Sequence, residues 1–117
     1  METNLRSWRP LTEFDFHHTL MAQPGTALVL FGQPGCGTCR VAKARLPALL
    51  PPIVDALFEV DVAVSTALAN EFELFHLPAL ALYQNGTFHA WVNTPLERNS
   101  LATAIHKALL AAPEDAP

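Results

Sequence analysis

The stretch Ala27-Leu28-Val29-Leu30-Phe31-Gly32-Gln33-Pro34-Gly35-Cys36-Gly37-Thr38-Cys39-Arg40 decides how this chain is read. Its first five residues are a continuous apolar run bounded by turn residues, the pattern of a strand buried on both faces. Gly32 to Gly35 reads as a loop, and a helix is expected from Cys36, or just after it, through Val41, Ala44 and Leu46 toward Leu49. Pro47 is placed to kink that helix, and Pro51-Pro52 ends it. A cysteine in the first turn of a helix lies beside unpaired backbone N–H groups and the positive end of the dipole. Both favour thiolate over thiol, which makes Cys36 a usable nucleophile near neutral pH. Cys39, one helical turn on, can reach back to resolve a mixed disulfide, and the small Gly37 and Thr38 leave the line of attack open.

Other uses of the two cysteines fit less well. A static bridge between residues so close in sequence closes almost no loop, so it adds little entropic stabilisation. Zinc needs two further ligands, and His17, His18, His76 and His89 have no ligand-like spacing to the cysteines. No metal and no organic cofactor is expected, because a dithiol pair stores two electrons by itself.

Outward from this stretch, the chain alternates. Thr12-Glu13-Phe14-Asp15 reads as a helix N-cap and acidic first turn leading into Phe16, Leu20 and Met21, with Pro24-Gly25 as the stop. Ala56 to Val60 is a second strand, turning at Asp61. Residues 65–75 read as a helix with Leu68, Phe72 and Phe75 on one core-facing stripe. Ala79 to Tyr83 and Thr87 to Val92 are strands joined by Asn85-Gly86, a strong hairpin signal. Thr94-Pro95-Leu96-Glu97 supplies an N-cap, a first-turn proline and an acidic third position for a last helix carrying Leu101, Ile105 and Leu109. Residues 1–10 are expected to be irregular, with Trp8 as an anchor, and 112–117 to be a short acidic tail. Early strand–helix alternation followed by a hairpin implies a mixed sheet covered by helices on both faces, a single three-layer α/β domain spanning 1–117.

Composition narrows the function classes. The 117 residues are 50% hydrophobic with a formal charge of −4, so a packed domain is expected and disorder is not. Seven Lys plus Arg against eleven Asp plus Glu offer no cationic field for nucleic acid. Apolar runs are broken by proline or charge and fall short of the roughly 18 residues of a membrane span. Met1 to Pro10 lacks the basic start and apolar stretch of a secretory signal, so a cytoplasmic location is expected.

The strand Ala27 to Phe31, Cys36-Gly37-Thr38-Cys39, the strand ending at Asp61, Leu77-Pro78-Ala79, Asn85-Gly86 and the terminal helix together resemble the thioredoxin family from about Ala27 to Leu110. The resemblance implies a thioredoxin-like fold and a protein thiol–disulfide oxidoreductase, acting as a monomer on protein disulfides with a reductase or other thiol as electron donor. It implies that Cys36 and Cys39 are catalytic. It also implies that Leu77-Pro78 is a cis bond opposite them, with Gly35, Leu77 and Pro78 contacting substrate; a trans proline opening an edge strand is the alternative.

The departures are specific. Leu30 and Leu57 stand where the family carries a buried aspartate and a lysine, and losing both avoids an unpaired buried ion. Glu59, on the same strand face as Leu57, either replaces the proton route of Cys39 through water or is a solvated edge residue. Gly32 and Gly35 replace the family's flanking tryptophans, Thr38 its proline inside the motif and Ala79 its threonine. His76 either lies near the thiols or is an exposed loop residue. Two rival readings remain open: an adaptor of the same fold with vestigial cysteines, and a glutathione-linked activity, for which Leu77 and Ala79 offer no polar contacts.

Overall fold

The apolar run is the centre of the molecule. A computed structural model describes residues 6–117. Among them the elements are β1 (Trp8–Leu11), α1 (Phe16–Met21), β2 (Thr26–Gly32), α2 (Gly37–Leu49), β3 (Val54–Asp61), α3 (Thr66–Glu71), β4 (Ala79–Gln84), β5 (Thr87–Val92) and α4 (Arg98–Leu110). The sheet order is β1-β3-β2-β4-β5, so β2 has neighbours on both sides and every one of its residues is buried. Strand β3 runs parallel to β1 and β2, whereas β4 is antiparallel to β2 and β5 to β4.

Successive residues of β2 feed opposite cores, as the two-residue pleat requires. Ala27, Val29 and Phe31 pack with Phe16 and Leu20 from α1, Leu68 from α3 and Phe72 just after α3. Leu28 and Leu30 pack with Ala42, Leu46, Leu101 and Ile105 from α2 and α4. This is the mixed sheet with helices on both faces, a thioredoxin-like fold. Each large side chain so buried contributes about 1.5–3 kcal/mol of transfer free energy.

The hairpin turn matches its sequence signal: Asn85 and Gly86 have φ of 50° and 84°. Gly86 is also needed for space, since a Cβ there would lie 2.6 Å from the carbonyl oxygen of Met21.

Four sequence expectations need correction. Residues 1–10 are not irregular throughout; residues 1–5 lie outside the described residues, but Trp8-Arg9-Pro10-Leu11 is an edge strand pairing parallel with β3. The four residues are too few to show an alternation, and an edge tolerates Pro10, whose missing N–H costs no ladder bond on the open side. The first helix starts at Phe16 rather than at a Thr12 cap, because Asp15 Oδ1 accepts from the Thr12 N–H at 2.7 Å and closes a turn there. Helix α3 ends at Glu71; Glu73 then adopts a φ of 53°, which takes Phe75 off the core stripe and leaves it 85% exposed. Leu74 packs against that core in its place. Helix α4 starts at Arg98, one turn later than Pro95, because the Glu97 N–H donates to the Pro95 carbonyl in a preceding turn.

Candidate active site

Three parallel strands and one antiparallel strand fix the site. Strands β1, β2 and β3 all end on one edge of the sheet, and β4 begins there, with Ala79 beside Phe31. Continuing that register brings Pro78 alongside Gly32, just before the cysteine loop. The Leu77–Pro78 bond is cis, and both residues are half-buried.

Cys36 is the N-cap of α2, as the sequence reading placed it. Its Sγ accepts from the Cys39 backbone N–H at 3.1 Å and lies 3.3 Å from the Thr38 hydroxyl. Both groups can donate to a thiolate at this position, adding direct hydrogen bonds to the dipole of a 13-residue helix. Cys36 and Cys39 are joined as a disulfide, with Cα atoms 5.2 Å apart. Cys36 is half-buried, whereas Cys39 is only 4% exposed. One sulfur therefore meets solvent and the other faces the protein.

The surrounding glycines differ in role. Gly35 is exposed and a Cβ there would meet nothing, so the approach to Cys36 is open. At Gly32 a Cβ would lie 3.0 Å from both Cβ and Sγ of Cys39, tighter than an ordinary contact, so the second cysteine packs closely against the end of β2. The loop between them is held by Arg40, whose guanidinium donates to the Pro34 carbonyl at 2.7 Å. His76 is exposed; the groove it lines is shared with Phe72, Phe75 and Trp91, not with either cysteine.

Behind Cys39 lies a cavity of about 310 Å³, lined among others by Leu30, Gly32, Cys39, Arg40, Lys43, Glu59 and Asp61. Glu59 is not an edge residue: β1 covers that side of β3, and the carboxylate is 24% exposed and ion-paired to Lys43 Nζ at 2.8 Å. The residue paired with Leu30 across the two strands is Glu59, while Leu57 pairs with Leu28. Lys43, Arg40 and the Thr38 hydroxyl escaped the sequence reading, although Lys43 stands four residues after Cys39 and so on its face of the helix. Among the described residues no group of three or more His, Cys, Asp and Glu could hold a metal ion, and no helix is long and apolar enough to cross a membrane.

Comparison with known proteins agrees with this geometry. The family model for Thioredoxin matches residues 7–107. The chain is 29% identical over 97 residues to "Probable protein disulfide-isomerase ER-60" of Schistosoma mansoni, covering 79% of this chain and 20% of that protein. It is 25% identical over 104 residues to "Protein disulfide-isomerase A3" of Gallus gallus, covering 83% and 20%. The chain thus spans about one fifth of the length of these curated relatives. Among solved structures, a mutant thioredoxin from Halobacterium salinarum superposes with a TM-score of 0.70 at 17% identity, covering all of both chains. At that identity the likeness is one of fold.

Proposed function

Because the chain belongs to the thioredoxin family, we propose that it is a thiol–disulfide oxidoreductase acting on protein disulfides through Cys36 and Cys39. The Cys36 thiolate attacks one sulfur of a substrate disulfide; the other substrate sulfur leaves and takes up a proton. The Cys39 thiolate then attacks Cys36 Sγ, the Cys36–substrate bond breaks, and the second substrate sulfur leaves. The substrate gains two electrons and two protons, and the Cys36–Cys39 pair is oxidised to its disulfide. A reductase or another dithiol returns the electrons, so the pair needs no organic cofactor.

The observation that carries this reading is the asymmetry of the pair. Cys36 is accessible, caps a helix and has two donors at its sulfur, whereas Cys39 is buried directly behind it. A pair that served only as a staple would need neither the donors nor the accessible first sulfur. Gly35 leaves the approach clear, and the register of β4 carries Pro78 toward Gly32, which supports Leu77–Pro78 as the docking segment for an extended substrate backbone. The reading sets the protein in the reducing cytoplasm, where such a pair is recharged.

Reduction of insulin disulfides by dithiothreitol tests the proposal. The protein is expected to accelerate the reaction catalytically, and Cys36→Ser to return it to the uncatalysed rate. A wild-type protein that adds nothing to dithiothreitol alone would contradict catalysis and favour an adaptor.

A further inference from the structure

A buried thiol has to lose its proton before it can attack, and without an acceptor in reach that proton has nowhere to go. Cys39 is such a thiol, and its neighbour on β2, Leu30, can accept nothing. The cavity behind it is large enough for several water molecules. Its lining carries four charged side chains: Arg40 and Lys43 from α2, and Glu59 and Asp61 from β3; β1 contributes none, as Pro10 is the residue aligned with Glu59.

Three of the four are otherwise engaged. Arg40 is bonded to the Pro34 carbonyl, and Asp61 Oδ1 accepts from the Ala63 N–H at 2.9 Å at the end of the strand. Lys43 is a cation and accepts no proton. Glu59 remains. Its ion pair is with the residue one helical turn beyond Cys39 on the same face, which holds the carboxylate on the side of α2 that Cys39 occupies.

We propose that Glu59 is the proton acceptor for Cys39, reached through cavity water, and that Lys43 is the residue that positions its carboxylate. The role rests on the oxidoreductase reading above. When a mixed disulfide forms on Cys36, the Cys39 S–H proton passes through water to Glu59, and the thiolate attacks Cys36 Sγ and expels the substrate sulfur. The proton then leaves to the departing thiolate or to solvent, so Glu59 is restored.

Two measurements decide it, with Glu59→Gln as the isosteric variant that keeps the fold. In single-turnover reaction of the reduced protein with a peptide disulfide, Cys36 attack should proceed at the wild-type rate. Release should slow by about 10²-fold near pH 7, with the gap closing toward alkaline pH as hydroxide takes over. Wild-type protein that never forms the mixed disulfide would sink the oxidoreductase reading itself; normal attack with unchanged release in Glu59→Gln would sink only the role of Glu59. The second measurement is the pH profile of thiolate absorbance in the reduced Cys36→Ala background. Removing the nearby anion with Glu59→Gln should move the Cys39 midpoint down, and removing the nearby cation with Lys43→Met should move it up. Midpoints that stay in place, or that move in the same direction, overturn the coupling.

Discussion

Replacing Cys39 by serine is expected to leave the protein covalently attached to its substrate. Cys36 keeps its cap position, its dipole and its two hydrogen-bond donors, so the first exchange proceeds. What is lost is the second thiol, held by the first turn of α2 within disulfide-bonding reach of the first. An intramolecular attack of this kind competes with external thiols at an effective concentration that millimolar dithiol cannot match. Steady-state turnover should therefore fall on the order of 10³-fold or more while a mixed disulfide accumulates. Non-reducing electrophoresis followed by mass spectrometry reads both the adduct and the bonded cysteine. A Cys39→Ser protein that turns over normally would mean that Cys39 is not the resolving thiol.

The second large effect lies far from the cysteines. Arg6 donates to four carbonyls, those of Pro47, Leu50, Pro51 and Val54, at 2.7–3.0 Å. Helix α2 ends at Leu49, where its last carbonyls have no partner within the helix, and Pro47 and Pro51-Pro52 prevent the usual backbone closure. The guanidinium fork takes over that closure, and its positive charge sits at the negative end of the dipole. Burial lowers the pKa of Arg6 from its usual value, yet the guanidinium stays charged and the four carbonyls replace the water it gives up. Arg6→Met should cost about 2 kcal/mol of stability, allowing for rehydration of carbonyls that become accessible. Thermal denaturation reads this as a fall in Tm of roughly 6–10 °C. Arg6→Lys should recover less than half, because one ammonium cannot span four acceptors. An Arg6→Met protein as stable as wild type would show that the helix end closes without it.

These two cases mark what the sequence carries and what it does not. The central strand, the helix after the cysteines and the Asn85-Gly86 hairpin were legible because each is set by local pattern: an unbroken apolar run, a glycine-flanked cap, and a turn that requires positive φ. The Cys36–Cys39 pair at the start of α2 was legible for the same reason. Strand β1 was not, since an edge strand containing proline is stabilised by the partner it finds, not by its own alternation. Phe75 was misplaced because the helical period was carried across Glu73, whose left-handed backbone resets it. Arg6 and Lys43 act over 48 and 16 residues of sequence, on Val54 and Glu59, and no local signal marks a contact of that span.

The strand register is the most instructive of these. Alignment by resemblance set Leu57 against the missing charge at Leu30, but β2 and β3 pair Leu30 with Glu59. A one-pair shift within the same face leaves the hydrophobic pattern intact, so apolar periodicity could not reveal it. The site has an acid after all, contributed by the neighbouring strand.

The central claim is that the two sulfurs differ: Cys36 attacks and Cys39 resolves. Brief alkylation of the fully reduced protein near neutral pH, followed by peptide mass spectrometry, compares them in one sample. Carboxamidomethyl label should appear first and almost wholly on Cys36, the accessible N-cap thiol, with Cys39 modified only after longer exposure or unfolding. Label on Cys39 first, or on both at the same rate, would contradict the assignment.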